Sequence, residues 1–215
     1  MFDQREKGLG LDPSRLYVTV FGGDAESGMQ PDTEAVEIWQ KLFAEKGIDA
    51  RYADMGTEEA GALRGMQDGE RIFSYGAKKN WWSRAGVPAK MPPGEPGGPD
   101  SEVFYDFGLP HDSAFGAHCH PNCDCGRFIE IGNSVFMQYV KQAEGGFKEL
   151  PKKNVDFGGG LERMTAATHG NPDVFLIDVF DTPRAVLSKL TGHGYGENVA
   201  TTRSFRIILD HMRAA

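Results

Sequence analysis

Residues 155–164, Val155-Asp156-Phe157-Gly158-Gly159-Gly160-Leu161-Glu162-Arg163-Met164, set a carboxylate, three successive glycines and a guanidinium along one short stretch. Glycines without a Cβ let the backbone pass close to a flat or charged ligand. A helix opening at about Leu161 would offer free N–H groups and a positive dipole end. Arg163 in its first turn suits a phosphate, because the guanidinium fork binds two oxygens at once. The same residues also fit a plain strand-to-helix turn with a surface arginine and a turn-capping aspartate.

A second stretch, His118-Cys119-His120-Pro121-Asn122-Cys123-Asp124-Cys125, gathers every cysteine of the chain. Thiolates and imidazoles at close spacing are the donors that tetrahedral Zn²⁺ takes. The expected ligands are Cys119, Cys123 and Cys125 with one of His111, His118 or His120. C-x₃-C-x-C is not a usual structural-zinc spacing, and Cys123 and Cys125 reach one ion only if the loop curls. A loop with free thiols and exposed histidines is the plain alternative. Three cysteines, an odd number, suit a reducing cytosol better than a disulfide framework.

The elements that must position these groups follow from periodicity. Arg15 to Phe21 reads as a strand, and Asp32 as the N-cap of a helix to about Lys46 that Gly47 ends. Residues 56–100 carry a weak pattern, and 91–100 are too rich in Pro and Gly for regular structure. Strands at 101–107 and 128–141 flank a loop over 108–126, and Glu144-Gly145-Gly146 is a tight turn. Helices are expected from about 161, over 173–190 and over 199–213. The fold class is therefore α+β, an antiparallel sheet flanked by helices. Neither a Walker-type phosphate loop nor a G-x-G-x-x-G after a strand occurs.

The bulk numbers set limits. At 215 residues the chain can bury one or two cores. A net charge of −8 argues against a free-standing nucleic-acid binder and leaves DNA out. No run reaches the ~20 apolar residues of a membrane span, and Met1 to Gly10 has no apolar signal-peptide core.

VDFGGGLERM resembles motif 3 of the class II aminoacyl-tRNA synthetases in its alanyl form, VDxGxGLER. RLYVTVF, NWW, SEVFYD, RFIEIGNSVFMQY, KELPKKNVD and DHMRA resemble further segments of alanyl-tRNA synthetases, in family order from about residue 12 to the end. The resemblance implies a catalytic domain over 1–195 and the start of a helical tRNA-recognition region over 196–215. It implies ATP-dependent activation of alanine, transfer to the 3′ adenosine of tRNA(Ala), and a cytoplasmic setting. Arg163 would grip the γ-phosphate of ATP, Gly158 and Gly160 would lie under the nucleotide, and Asp156 would hold the alanine ammonium. Asn133 would lie in the substrate site, and Val135 and Trp82 would wall the substrate methyl; Glu130 would hold Mg²⁺ on the phosphates. Lone Trp and Val residues also fit ordinary core, and Glu130 a sheet-face glutamate.

Three departures qualify the resemblance. The family's motifs 1 and 2 precede RLYVTVF, where this sequence has about a dozen residues, so the polypeptide alone is expected not to form aminoacyl-adenylate. The family's GPCGPC run is replaced by Gly94-Glu95-Pro96-Gly97-Gly98-Pro99-Asp100, and Gly132 and Gly159 stand where bulkier residues are common. Two other functions remain open: a non-catalytic binding module on the same fold, and a zinc-dependent hydrolase of mischarged tRNA.

Overall fold

A computed structural model describes residues 8–214. They form two compact units, one ending at Gly160 and one beginning at Leu161. The expected boundary at 195/196 falls inside the second unit.

In the first unit, among the described residues, seven strands form one sheet: β1 Leu16–Phe21, β2 Arg51–Gly56, β3 Glu70–Tyr75, β4 Trp81–Ser83, β5 Pro96–Asp106, β6 Phe128–Lys141 and β7 Phe147–Gly158. Their order is β2-β3-β1-β5-β6-β7, with β4 beside β5. The sheet is mixed, which corrects the expectation of an antiparallel one. β3 runs parallel to both β1 and β2, and the other pairings are antiparallel. Helices α1 (Thr33–Ala44) and α2 (Glu58–Arg64) intervene between β1, β2 and β3, and such crossovers bring the chain back in the same direction. A single turn, α3 (Ala77–Asn80), leads from β3 into β4. Asp32 caps α1 by accepting from the Ala35 amide at 3.0 Å.

The parallel half arises from the stretch whose pattern is weak. β2 alternates exposed and buried residues from a charged start, yet Ala53 and Met55 close over Phe73 and Tyr75. Burial in the finished sheet decides these strands, not local propensity.

β5 begins inside the Pro/Gly stretch, at Pro96, against the expectation of irregular structure. The glycines are what admit it. A Cβ at Gly98 would sit 1.8 Å from the Phe136 carbonyl oxygen. Only a bare backbone lets β4 and β6 lie on either side of β5 here. Trp81 turns into a cluster with Phe21, Ala77 and Met91, beside Tyr139 and Phe147. Trp82, next along β4, points the other way and is 45% exposed.

The second unit is helical. α4 (Leu161–His169) is followed by two 3₁₀ turns over 174–180, then α5 (Asp181–Thr191) and α6 (Val199–Ala214). A single helix over 173–190 does not form. Pro183 has no N–H to bond back into the preceding turn, so it is tolerated only near a helix start. Ala166, Ile177, Phe180, Phe205 and Leu209 make the core of this unit. Asp173 accepts from the Tyr195 hydroxyl at 2.6 Å and from Arg206 at 2.8 Å, pinning α6 to the first 3₁₀ turn.

Gly98→Ala is expected to destabilise the chain by more than about 2 kcal/mol, the range for forced overpacking against backbone. Denaturant unfolding of this variant within a few tenths of a kcal/mol of wild type would show that the strands can part at no cost.

Candidate functional site

β6 has a partner on both sides, and its register assembles the site. Asn133 lies between Glu102 of β5 and Gly158 of β7; Val135 lies between Asp100 and Asp156. Residues directly opposite each other project to the same face, so these six share one surface. Trp82 pairs with Gly98, two residues before Asp100, and joins the same surface.

Glu130 reaches it through an irregularity. Strict alternation would put Glu130 and Asn133 on opposite faces. The β5–β6 register shifts between Val103 and Phe104, where β6 spends one extra residue, around Ile131 and Gly132. The bulge turns Glu130, opposite Phe104, to the side of Asn133. Its negative charge is felt by both Asp100 and Glu102.

Towards β1 this face ends in a buried polar node. Asn80, fully buried, donates to the Thr19 hydroxyl at 2.8 Å and to Asp100 Oδ1 at 3.1 Å. The Thr19 hydroxyl donates to Glu102 Oε2 at 3.1 Å. Burial pushes the Asp100 carboxyl up to about 7, against hydrogen bonds from Asn80 and Asn133 that pull it down. Burial, helped by the charges of Asp100 and Glu130, pushes Glu102 up to about 8. Asn133 thus turns its amide N–H toward Asp100, and its Oδ1 is buried with no hydrogen-bond partner among the described residues. Three acids around an orphaned acceptor make a place that a cation would satisfy.

Asp156 and Gly158, near the end of β7, are exposed. A Cβ built at Gly158 would meet no described atom within 4 Å, so its bareness leaves open space over the face and is not forced by the fold. Gly160 closes the first unit. Arg163 lies in the first turn of α4, in the second unit.

The His/Cys loop joins β5 to β6. His111, Cys119, Cys123 and Cys125 put one donor atom each within 4.8 Å of one another. His118 and His120 stand outside that group. The His118 amide donates to Ala62 O at 2.9 Å. The His120 ring, 2% exposed, is hydrogen-bonded through Nδ1 to the Tyr75 hydroxyl at 2.8 Å, and burial holds it below the usual histidine range. These two histidines dock the loop. Burial works to raise the Cys125 thiol, but hydrogen bonding to His111, to the Arg127 amide and to the other two thiols brings it down to about 7.

Residues 2–215 match the family model of the class II (A) tRNA synthetases. The chain belongs to that family. The alanine–tRNA ligase of Treponema denticola is 36% identical over 210 residues, covering 98% of this chain and 29% of that protein. That of Borrelia hermsii is 33% identical over 207 residues, 96% of this chain and 29% of that protein. That of Saccharopolyspora erythraea is 36% identical over 217 residues, 98% of this chain and 20% of that protein. The chain spans less than a third of the length of these curated relatives.

In this class II synthetase chain, sequence reasoning missed Asp100, Glu102, Asn80 and Thr19. Glu102 carried a signal: it sits among Val103, Phe104 and Tyr105 in a strand with almost no exposed residue. Asp100 carried little, lying in a stretch read as irregular. No helix among the described residues is long and apolar enough to cross a membrane.

The raised carboxyls make a pH prediction. A carboxyl whose folded value exceeds its unfolded one keeps its proton in the fold after the open chain has lost it. Stability should then fall as pH rises from about 4.5 towards 8, by on the order of 2–4 kcal/mol. The double variant Asp100→Asn, Glu102→Gln, which keeps acceptors without titrating, should flatten that slope. Denaturant midpoints measured across this range test it; a level wild-type profile would refute the buried-acid description.

Proposed function

We propose that this chain supplies the alanine-binding face and part of the nucleotide site of an alanine–tRNA ligase. The reaction is activation of alanine with ATP to alanyl-adenylate, followed by transfer of the alanyl group to the 3′ adenosine of tRNA(Ala). The observation that carries this reading is the cross-strand placement of Asp156 beside Val135, with Gly158 opening space two residues along. A carboxylate for an ammonium, an apolar neighbour for a methyl, and a bare backbone for a flat nucleotide share one face.

Each residue then has a task. Asp156 accepts from the alanine ammonium, a charge-assisted contact that orients the carboxylate for in-line attack on the α-phosphate. Val135 and Trp82 limit the side-chain pocket to a small apolar group. Such a pocket rejects larger residues but discriminates poorly against serine, because one added hydroxyl costs little there. Gly158 and Gly160 let the adenylate lie against the backbone. Arg163, at the positive end of α4, is the phosphate contact that the family resemblance assigns. Glu130 and the Asn133 Oδ1 are the hard oxygen donors for Mg²⁺, which neutralises phosphate charge when bound. Transfer of this kind relies on positioning and electrostatics, with no protein nucleophile. Within the helical second unit, the part from about residue 196 onward, which carries α6, fits the beginning of the tRNA-recognition region. A cytosolic setting, where the three thiols stay reduced, fits the same reading.

Calorimetry with a non-hydrolysable alanyl-adenylate analogue tests this. The chain should bind it, and Asp156→Ala should weaken binding at least tenfold, about 1.4 kcal/mol, with the unfolding transition unchanged. Gly158→Val should also fold normally, since its Cβ meets open space, yet lose binding. Silence from the wild-type chain, or equal binding by Asp156→Ala, would reject the assignment and favour a non-catalytic module.

A further inference from the structure

The His/Cys loop is the largest feature that the proposed reaction leaves unused. Its four donor atoms come from positions spread over 111–125, and the backbone curls to bring them in. The turn at Pro121-Asn122 is closed by the Cys123 amide donating to the His120 carbonyl at 2.9 Å. That turn lets Cys123 and Cys125, two residues apart, face one point.

All four donor atoms lie within 4.8 Å of one another, and two of their separations match the edge of a tetrahedral zinc site. Cys119 Sγ and Cys125 Sγ lie 3.6 Å apart, and Cys123 Sγ lies 3.8 Å from His111 Nδ1. With Zn–S bonds of about 2.3 Å, the edge of a tetrahedron is about 3.8 Å. A disulfide needs about 2.05 Å between sulfurs, so this pair is not one. The histidine is prepared for the role as well. Its Nε2 lies 2.9 Å from the Gly116 carbonyl oxygen, which can only accept, so that nitrogen carries the proton and Nδ1 keeps its lone pair for a metal. Close by, Arg127 makes two hydrogen bonds to Asp106, at 3.0 and 2.7 Å, and its positive charge reaches Cys119. It offsets part of the excess negative charge that three thiolates bring to one dication.

We propose that His111, Cys119, Cys123 and Cys125 bind a structural Zn²⁺ that holds the β5–β6 loop in its curled form. Four protein donors fill the tetrahedron and leave no position for a water. The centre is therefore a clamp, and a zinc-dependent hydrolase of mischarged tRNA finds no support in it. What it clamps matters for the sheet. The loop forms one wall of a cavity of about 290 Å³, with Asn122, Cys123 and Asp124 facing Phe104, Phe128 and Glu130. His118 and His120 tie the loop to α2 and β3, while the metal would fix the segment between them and β6.

The test uses the untagged chain purified without added metal. Elemental analysis should find one equivalent of zinc. Replacement by Co²⁺ should give the intense visible bands and thiolate charge-transfer bands of a tetrahedral S₃N site. His111→Ala and Cys119→Ser should each lower metal affinity more than tenfold in titrations of the apoprotein, whereas His118→Ala should leave it unchanged. Proteolysis within 108–126 should accelerate on chelation and slow again when zinc is restored. Should Cys119→Ser fail to fold, the His111→Ala and His118→Ala pair still decides. Metal-free protein that takes up no stoichiometric zinc, a six-coordinate Co²⁺ spectrum, or equal losses from His111→Ala and His118→Ala would overturn the proposal. None of these readouts depends on alanine or ATP, so this result and the calorimetry stand or fall separately.

Discussion

β6 is hydrogen-bonded on both sides, and nearly everything of chemical interest depends on its register. Its pairings with β5 and β7 place Asp100, Glu102, Asn133, Val135, Asp156 and Gly158 on one surface. A slip of β6 by one residue would send Asn133 and Val135 to the opposite face and break up the set. Two irregularities in the same ladder adjust the pattern. The bulge around Ile131–Gly132 turns Glu130 inward, and the shift between Gly97 and Asp100 is compatible only with a bare Gly98.

The buried node at the β1 side of that surface explains why the face is polar at all. Burying two carboxyls beside a third is costly unless they are protonated, hydrogen-bonded or matched by a cation. Asn80 and Thr19 satisfy part of the demand. The rest is left facing the orphaned oxygen of Asn133. An apolar replacement at these positions would make a better core and remove the polarity of the face.

Several of these elements were legible from residues alone. The strand 128–141 and the helix capped by Asp32 carry strong local signals, and structure and sequence agree on them. The VDFGGGLERM stretch announced a strand running into a helix because glycines and a periodic segment adjoin there. The parallel half of the sheet was not legible. β2 and β3 are short, begin with charged residues and owe their conformation to partners far along the chain. Nor could spacing choose His111 over His118 and His120. That choice depends on how the loop curls and on Tyr75, which already holds His120. The Glu130–Asn133 alignment needed a bulge, which alternation cannot foresee.

The strand order also bears on how the first unit comes to be folded. β1 contributes Leu16, Val18, Val20 and Phe21, all completely or almost completely buried, yet its neighbours are β3 and β5, with Leu16 opposite Tyr105. During synthesis these apolar residues must wait for the chain as far as Tyr105 before their sheet can close. Long-range pairings of this kind make for slow folding, with sticky strand edges exposed meanwhile. The topology thus sets how long the edges of β1 stay open.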